Sequence, residues 1–297
     1  MNRLKLKDLP DEELIQPGTA GCKGCGATLA LRLATKALGK NTVMVNATGC
    51  ITVSMMYGSP CFPFIHVAFE NAAAVASGID VALRRLGRRE NINVICFAGD
   101  GGTADIGIQA LSGAIERGHK FTYICYDNES YMNTGGQRSG TTPWGTQTTV
   151  TPYGKNWSRL QRPLYLKKDL PRIISAHGVP YVATASIAYP IDYIQKVKKA
   201  LSFDGPTYIH VHTPCPPGWG FNENLTIKVA RLAVQTGMFS LYELENGEMN
   251  LTLKVVNRRP INEYIKLQRR FNHLTEIETT KLQNWIDEYW KEVIKGV

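Results

Sequence analysis

The chain has 297 residues, 43% of them hydrophobic, which is enough to bury one large α/β core or two smaller ones. No apolar run reaches the roughly 18 residues that cross a bilayer, and the first twenty residues are charged and lack an apolar signal core, so neither membrane insertion nor export is expected. The net charge of +9 favours acidic partners, but the basic residues are scattered in pairs such as Arg84-Arg85 and Arg269-Arg270 without a nucleic-acid motif, so no nucleic-acid role is expected.

Seven cysteines, an odd number without the spacing of a small disulfide framework, predict a soluble protein of the reducing cytoplasm. Gly26 to Leu38 sets Leu29, Leu31, Leu33 and Leu38 among alanines and predicts a helix ended by Gly39, beginning directly after the turn Cys22-Lys23-Gly24-Cys25. Thr42 to Val45 reads as a short buried strand running into the turn Thr48-Gly49-Cys50. Asn71 to Leu86 predicts a helix whose small residues admit another backbone or a cofactor. Val94 to Ala98, Asp105 to Arg117 and Phe121 to Tyr126 read as strand, helix and strand, one parallel unit.

From Asn128 to Trp157 the chain is rich in Gly, Thr, Asn and Pro and predicts a long ordered loop, a kind that is usually functional. Leu170 to His177, a strand at Val182-Ala183, a helix from Ile191 to Leu201 and a strand from Thr207 to Val211 continue the alternation, and the sheet is expected to close at Cys215. The fold class is therefore α/β, with a mostly parallel sheet flanked by helices. Residues 1–223 read as one domain. Residues 224–297 read as a C-terminal helical extension, amphipathic around Leu274, Ile277, Leu282, Trp285, Ile286, Tyr289 and Trp290, that packs on the domain or on a partner subunit.

In an open parallel sheet, ligands bind beyond the carboxyl ends of the strands. Asp100 ends one predicted strand and Asn128 its neighbour, so their oxygens can meet one Mg²⁺, with a backbone carbonyl near Ser130, two diphosphate oxygens and a water completing an octahedron. Gly101 and Gly102 admit phosphate oxygens to main-chain N–H groups. Cys22, Cys25, Cys50 and Cys215 form a second donor set, suited to zinc or to an iron–sulfur cluster. Cys96 and Cys125 lie in apolar strands and read as core thiols, and Cys61, between prolines, as structural. His66, His119, His177, His210 and His212 show no ligand spacing, and ordinary packing accounts for His210 and His212 on their strand.

The run from Gly99 to Gln137 resembles the thiamine diphosphate motif of enzymes that act on 2-oxo acids. Its end, Asp127-Asn128-Glu129-Ser130-Tyr131-Met132-Asn133-Thr134-Gly135-Gly136-Gln137, resembles the β subunit of the 2-oxoacid:ferredoxin oxidoreductases, particularly the pyruvate type. The resemblance implies a thiamine diphosphate-binding fold in which Asp100, Asn128 and the Ser130 carbonyl hold magnesium. Gly99, Gly101, Gly102, Met132 and Asn133 would then line the diphosphate and thiazolium side, the turn Thr48-Gly49-Cys50-Ile51 would touch the cofactor, and Asn133 would hydrogen-bond the reacting substrate. It also implies a 4Fe–4S cluster on Cys22, Cys25, Cys50 and Cys215, with Thr213 to Trp219 as the fourth-ligand loop. Pro217 departs from the small hydroxyl residue frequent in relatives.

The activity implied is the reversible oxidative decarboxylation of pyruvate with coenzyme A to acetyl-CoA and CO₂, with electrons passing from thiamine diphosphate through the cluster to ferredoxin. The activating glutamate is expected from a partner α subunit rather than from Glu70. The enzyme is accordingly expected to need α, γ and δ subunits or fused equivalents. Three alternatives stay open on the residues: an oxidoreductase for another 2-oxo acid (2-oxoisovalerate, oxalate or 2-oxoglutarate), a non-redox thiamine enzyme with structural zinc, and a zinc-stabilised nucleic-acid-binding module.

Overall fold

The computed structural model describes residues 6–152 and 167–295. Eight strands form one sheet: β1 (Thr42–Ala47), β2 (Phe64–Val67), β3 (Asn93–Gly99), β4 (Thr122–Asp127), β5 (Tyr181–Ser186), β6 (Thr207–His212), β7 (Tyr242–Glu245) and β8 (Glu248–Leu251). Their order is β2-β1-β3-β4-β6-β5-β7-β8. The first six are parallel, while β7 runs antiparallel to β5 and β8 antiparallel to β7. The fold is thus α/β with a mostly parallel sheet, as the alternation of strands and helices predicts. Helices cover both faces, so β4, β5 and β6 are buried along their whole length, polar positions such as Asp127, Thr184, His210 and His212 included.

The two cores divide the sheet's faces. On one, Ala72, Ala73 and Ala76 of the helix Ala72–Arg85 pack with Val45, Val94, Cys96 and Cys125. On the other, Ala27, Ala30, Leu31 and Ala34 of the helix Gly26–Leu38 pack with Met44, Phe97, Ile124 and Tyr193. Cys96 and Cys125 are core thiols with no exposure, whereas the Cys61 side chain is exposed and only its backbone is tied, to the Leu14 carbonyl.

The chain leaves β1 for β2 on one side and then returns to β3 on the other. This reversal opens a crevice at the carboxyl ends of β1 and β3. Thr48-Gly49 and Gly99-Asp100 meet there.

Four expectations need correction. The sheet does not close at Cys215, because the 242–251 hairpin extends it past β5. The extension is therefore not wholly helical, and its inward Leu282, Ile286 and Trp290, spaced four apart, join the same core as Val182 and Tyr208. Ile277 lies outside that stripe and is 71% exposed. Finally, Asp105, the predicted helix start, falls within a π-turn over Gly102–Ile106, and regular helix begins at Ile108. Such π-turns recur at functional sites. The predicted loop from Asn128 holds neither helix nor strand as far as Pro152, and Trp157 lies outside the described residues.

Candidate active site

A groove at the crevice is lined by Thr48, Gly49, Cys50, Gly99, Asp100, Gly101, Gly102, Asn128, Ser130, Met132 and Asn133. Every residue expected at the cofactor is in this lining except Ile51. Its side chain is fully buried in the core below, because Cys50 starts a short helix, Cys50–Met55, that turns the next residue inward. Phe69, Tyr126, Tyr131 and Thr134 complete the walls, unforeseen from the sequence. Gly101 is required here: a Cβ would collide with the Tyr131 ring, whose hydroxyl donates to the Gly101 carbonyl at 2.9 Å.

Asp100, the Asn128 amide and the Ser130 carbonyl converge at the groove floor. The amide of Asn128 is placed with its oxygen 3.0 Å from Asp100 Oδ1 and 2.9 Å from the Ser130 carbonyl oxygen. Three acceptors so close repel unless a cation lies among them or the amide rotates to donate. The spacing matches the edge of an octahedron whose metal–oxygen bonds are about 2.0–2.1 Å, the length Mg²⁺ demands. In the same placement Asn128 Nδ2 points to Cys50 Sγ at 3.9 Å.

Asp100 is 1% exposed. Burial, and next the neighbouring Asp127, push its carboxyl well above the usual range, although Ser139 and Thr141 donate to it. A bound divalent cation would reverse that penalty.

The cysteines gather beside this floor. Cys22 and Cys25 share a turn closed by Cys25 N–H to the Cys22 carbonyl at 3.1 Å, and Gly26 N–H donates to the Pro214 carbonyl at 3.2 Å, tying that turn to the Cys215 loop. Cys50 is pushed up to about 12, first by burial and then by the fields of Cys215, Cys25, Asp100 and Cys22. Cys215 is likewise pushed up to about 12 by burial, with the Gly218 amide opposing and Cys25 and Cys22 adding to it. Four thiols that repel one another as anions suit a cationic centre among them. A Cβ at Gly218 would collide with Met132 Sδ, so the cysteine loop and the groove wall are in direct contact.

Behind both donor sets lies a buried charge network that sequence reasoning missed. Asp127 accepts from Lys167 Nζ at 2.7 Å and pairs with His210 Nε2 at 2.8 Å. Burial would raise its carboxyl, but these two partners outweigh it and hold it far below the usual range. Glu129 pairs with Lys167 Nζ at 3.3 Å and Arg270 Nη2 at 2.6 Å. Arg270 lies over the Trp219 ring at 3.6 Å, and Trp219 Nε1 donates to the Asn128 carbonyl at 2.8 Å. Burial lowers His212 to about 4, so it is neutral. His210 is therefore more than strand packing; two histidines in an otherwise apolar, fully buried strand were the signal available.

Residues 39–211 match the family described as thiamine pyrophosphate enzyme, C-terminal TPP binding domain. Similar proteins include a pyruvate synthase subunit PorB of Methanothermobacter marburgensis, 56% identical over 288 residues, 96% of this chain and 99% of that relative. A ketoisovalerate oxidoreductase subunit VorB of Pyrococcus furiosus is 45% identical over 303 residues, 99% and 96% of the two chains. The chain belongs to the thiamine pyrophosphate enzyme family, in the branch formed by these 2-oxoacid oxidoreductase subunits. A solved 2-oxoglutarate:ferredoxin oxidoreductase of Magnetococcus marinus shares the fold, with a TM-score of 0.55 at 24% identity over 78% of this chain and 81% of that one.

Proposed function

We propose that this chain is the subunit of a pyruvate:ferredoxin oxidoreductase that holds thiamine diphosphate, Mg²⁺ and a 4Fe–4S cluster. The observation that carries the reading is the seating of the Asn128 amide between two donor sets, one end within 3.0 Å of Asp100 Oδ1 and 2.9 Å of the Ser130 carbonyl oxygen, the other facing Cys50 Sγ at 3.9 Å.

Asp100, Asn128 and the Ser130 carbonyl would hold Mg²⁺ against the diphosphate, and Gly99 to Gly102 would admit the phosphate oxygens to the backbone. When bound, thiamine diphosphate supplies the electron sink for the carbon that loses CO₂, and the cluster takes single electrons. Cys22, Cys25, Cys50 and Cys215 would ligate that cluster. Cys50 adjoins the groove-lining turn, so the electron acceptor would sit next to the reacting carbon. Asn133, exposed at the groove's mouth, would donate a hydrogen bond to the substrate.

Four pyruvate synthase subunits are 51–56% identical to this chain, which favours pyruvate as the acid, although ketoisovalerate oxidoreductase subunits at 45–46% and the pyruvate synthase subunit of Pyrococcus furiosus at 44% do not separate the two acids. The groove is open on one side, and Met56 and Tyr57 stand 66% and 72% exposed on the helix end that follows Cys50. A partner α subunit covering that side would supply the activating carboxylate, the γ and δ chains or fused equivalents the remaining functions, and ferredoxin would leave with the electrons. Among the described residues no helix is long and apolar enough to cross a membrane.

The test is the enzyme purified anaerobically with its co-expressed partners. Iron with labile sulfide, and viologen reduction that requires both pyruvate and coenzyme A, are expected. Zinc without labile sulfide would defeat the redox reading, and turnover of 2-oxoisovalerate but not pyruvate would defeat the substrate.

A further inference from the structure

Among the described residues, only two that are not glycine have positive φ. Asn246, at 50°, occupies the Asn-Gly turn between β7 and β8, where that conformation is routine. Glu129, at 64°, has no such excuse: a glutamate in the left-handed region carries a steric cost, and no hairpin asks for it. It stands between Asn128, whose amide lies 3.0 Å from Asp100 Oδ1, and Ser130, whose carbonyl oxygen lies 2.9 Å from that same amide.

The conformation is held from several directions. The Glu129 N–H donates to Asp127 Oδ1 at 2.9 Å, and Thr142 Oγ1 donates to the Glu129 carbonyl at 2.6 Å. The side chain, 2% exposed, is clamped between Lys167 and Arg270. Arg270 is itself fixed by Nε donation to Gln268 Oε1 at 2.9 Å and by the Trp219 ring beneath it. A strained residue persists where its surroundings over-determine it, and such residues gather at functional sites.

We infer that Glu129 is a positioning residue whose ion pairs with Lys167 and Arg270 hold the left-handed turn that converges the Asn128 and Ser130 oxygens on the cation. The C-terminal extension thereby completes the metal site through Arg270, a residue that touches neither the metal nor the groove. This rests on the Mg²⁺ reading of Asp100, Asn128 and Ser130.

Two double variants test it in the assembled enzyme, with Mn²⁺ as the probe, its binding read by electron paramagnetic resonance in the presence of thiamine diphosphate. E129Q/R270M and E129G/R270M both remove the charge pair at once, an exchange that buried pairs tolerate. They differ in the strain, because glycine adopts positive φ freely and glutamine does not. E129Q/R270M is expected to bind Mn²⁺ about tenfold more weakly than wild type, equivalent to about 1.4 kcal/mol. E129G/R270M is expected to stay within about twofold of wild type. Equal affinities in the two doubles, whether both normal or both weak, would overturn the inference. D100N separates this from the site reading: if D100N leaves Mn²⁺ binding unchanged, the metal assignment itself fails, whereas loss in D100N with equal doubles leaves the metal site standing and removes only the role of Glu129.

Discussion

Replacing Trp290 by alanine tests whether residues 224–295 are an appendage or part of the core. Trp290 is 1% exposed, donates Nε1–H to the Gly237 carbonyl at 2.7 Å and lies against the Arg258 guanidinium, 5.6 Å from ring centre. Truncating a buried aromatic costs about 3–5 kcal/mol, and the Gly237 carbonyl is left without its donor, so about 4 kcal/mol is expected. A chain of this size shifts by roughly 2 °C per kcal/mol, so the melting temperature should fall by about 8 °C. Trp290→Phe keeps most of the volume and loses chiefly the hydrogen bond, so about half that fall is expected. The assay is thermal unfolding of the full-length chain by circular dichroism. One cooperative transition should move as a whole, because Trp290 shares a core with Val182 and Tyr208. A shift under about 2 °C, or a new early transition with the main one unmoved, would refute the shared core.

Asp100→Asn removes the only charged oxygen of the proposed magnesium floor, and calorimetric titration should show Mg²⁺-dependent thiamine diphosphate binding weakened at least about a hundredfold. Lys167→Met strips a cation from two carboxylates that are 0% and 2% exposed. Since Lys167 is itself 19% exposed, a loss of about 3 kcal/mol, the low end for a broken buried pair, is expected in urea unfolding, and a change below about 1 kcal/mol would contradict the network. Glu13 is lowered to about 2 by the charged hydrogen bond from Arg32, opposed by burial and aided by Lys36. A depressed carboxylate stabilises above its unfolded value of 4.5 and loses that contribution as pH falls toward about 2. The side chain is 39% exposed, so Glu13→Gln should cost less than about 1 kcal/mol at pH 7 and nothing measurable near pH 2, read from paired melts at the two pH values.

Sequence alone determined the parts of this protein that local chemistry encodes. Asp100 and Asn128 were legible because each ends an apolar run, and a parallel strand-helix-strand unit must bring two such ends together. Cys22, Cys25, Cys50 and Cys215 could be proposed from sequence as one donor set, and β3 could be read because burial on both faces favours a run such as Val94-Ile95-Cys96-Phe97-Ala98. The hairpin β7–β8 was hidden: in Tyr242-Glu243-Leu244-Glu245 only two apolar positions alternate with charges, too short a pattern to claim a place in a sheet. Tertiary structure alone placed Ile51 in the core, seated His210 on Asp127 and brought Arg270 to Glu129 across 141 positions. Charge pairing is decided by which chain segments burial forces into one low-dielectric space, and nothing in the spacing of Glu129 and Arg270 along the chain carries that information.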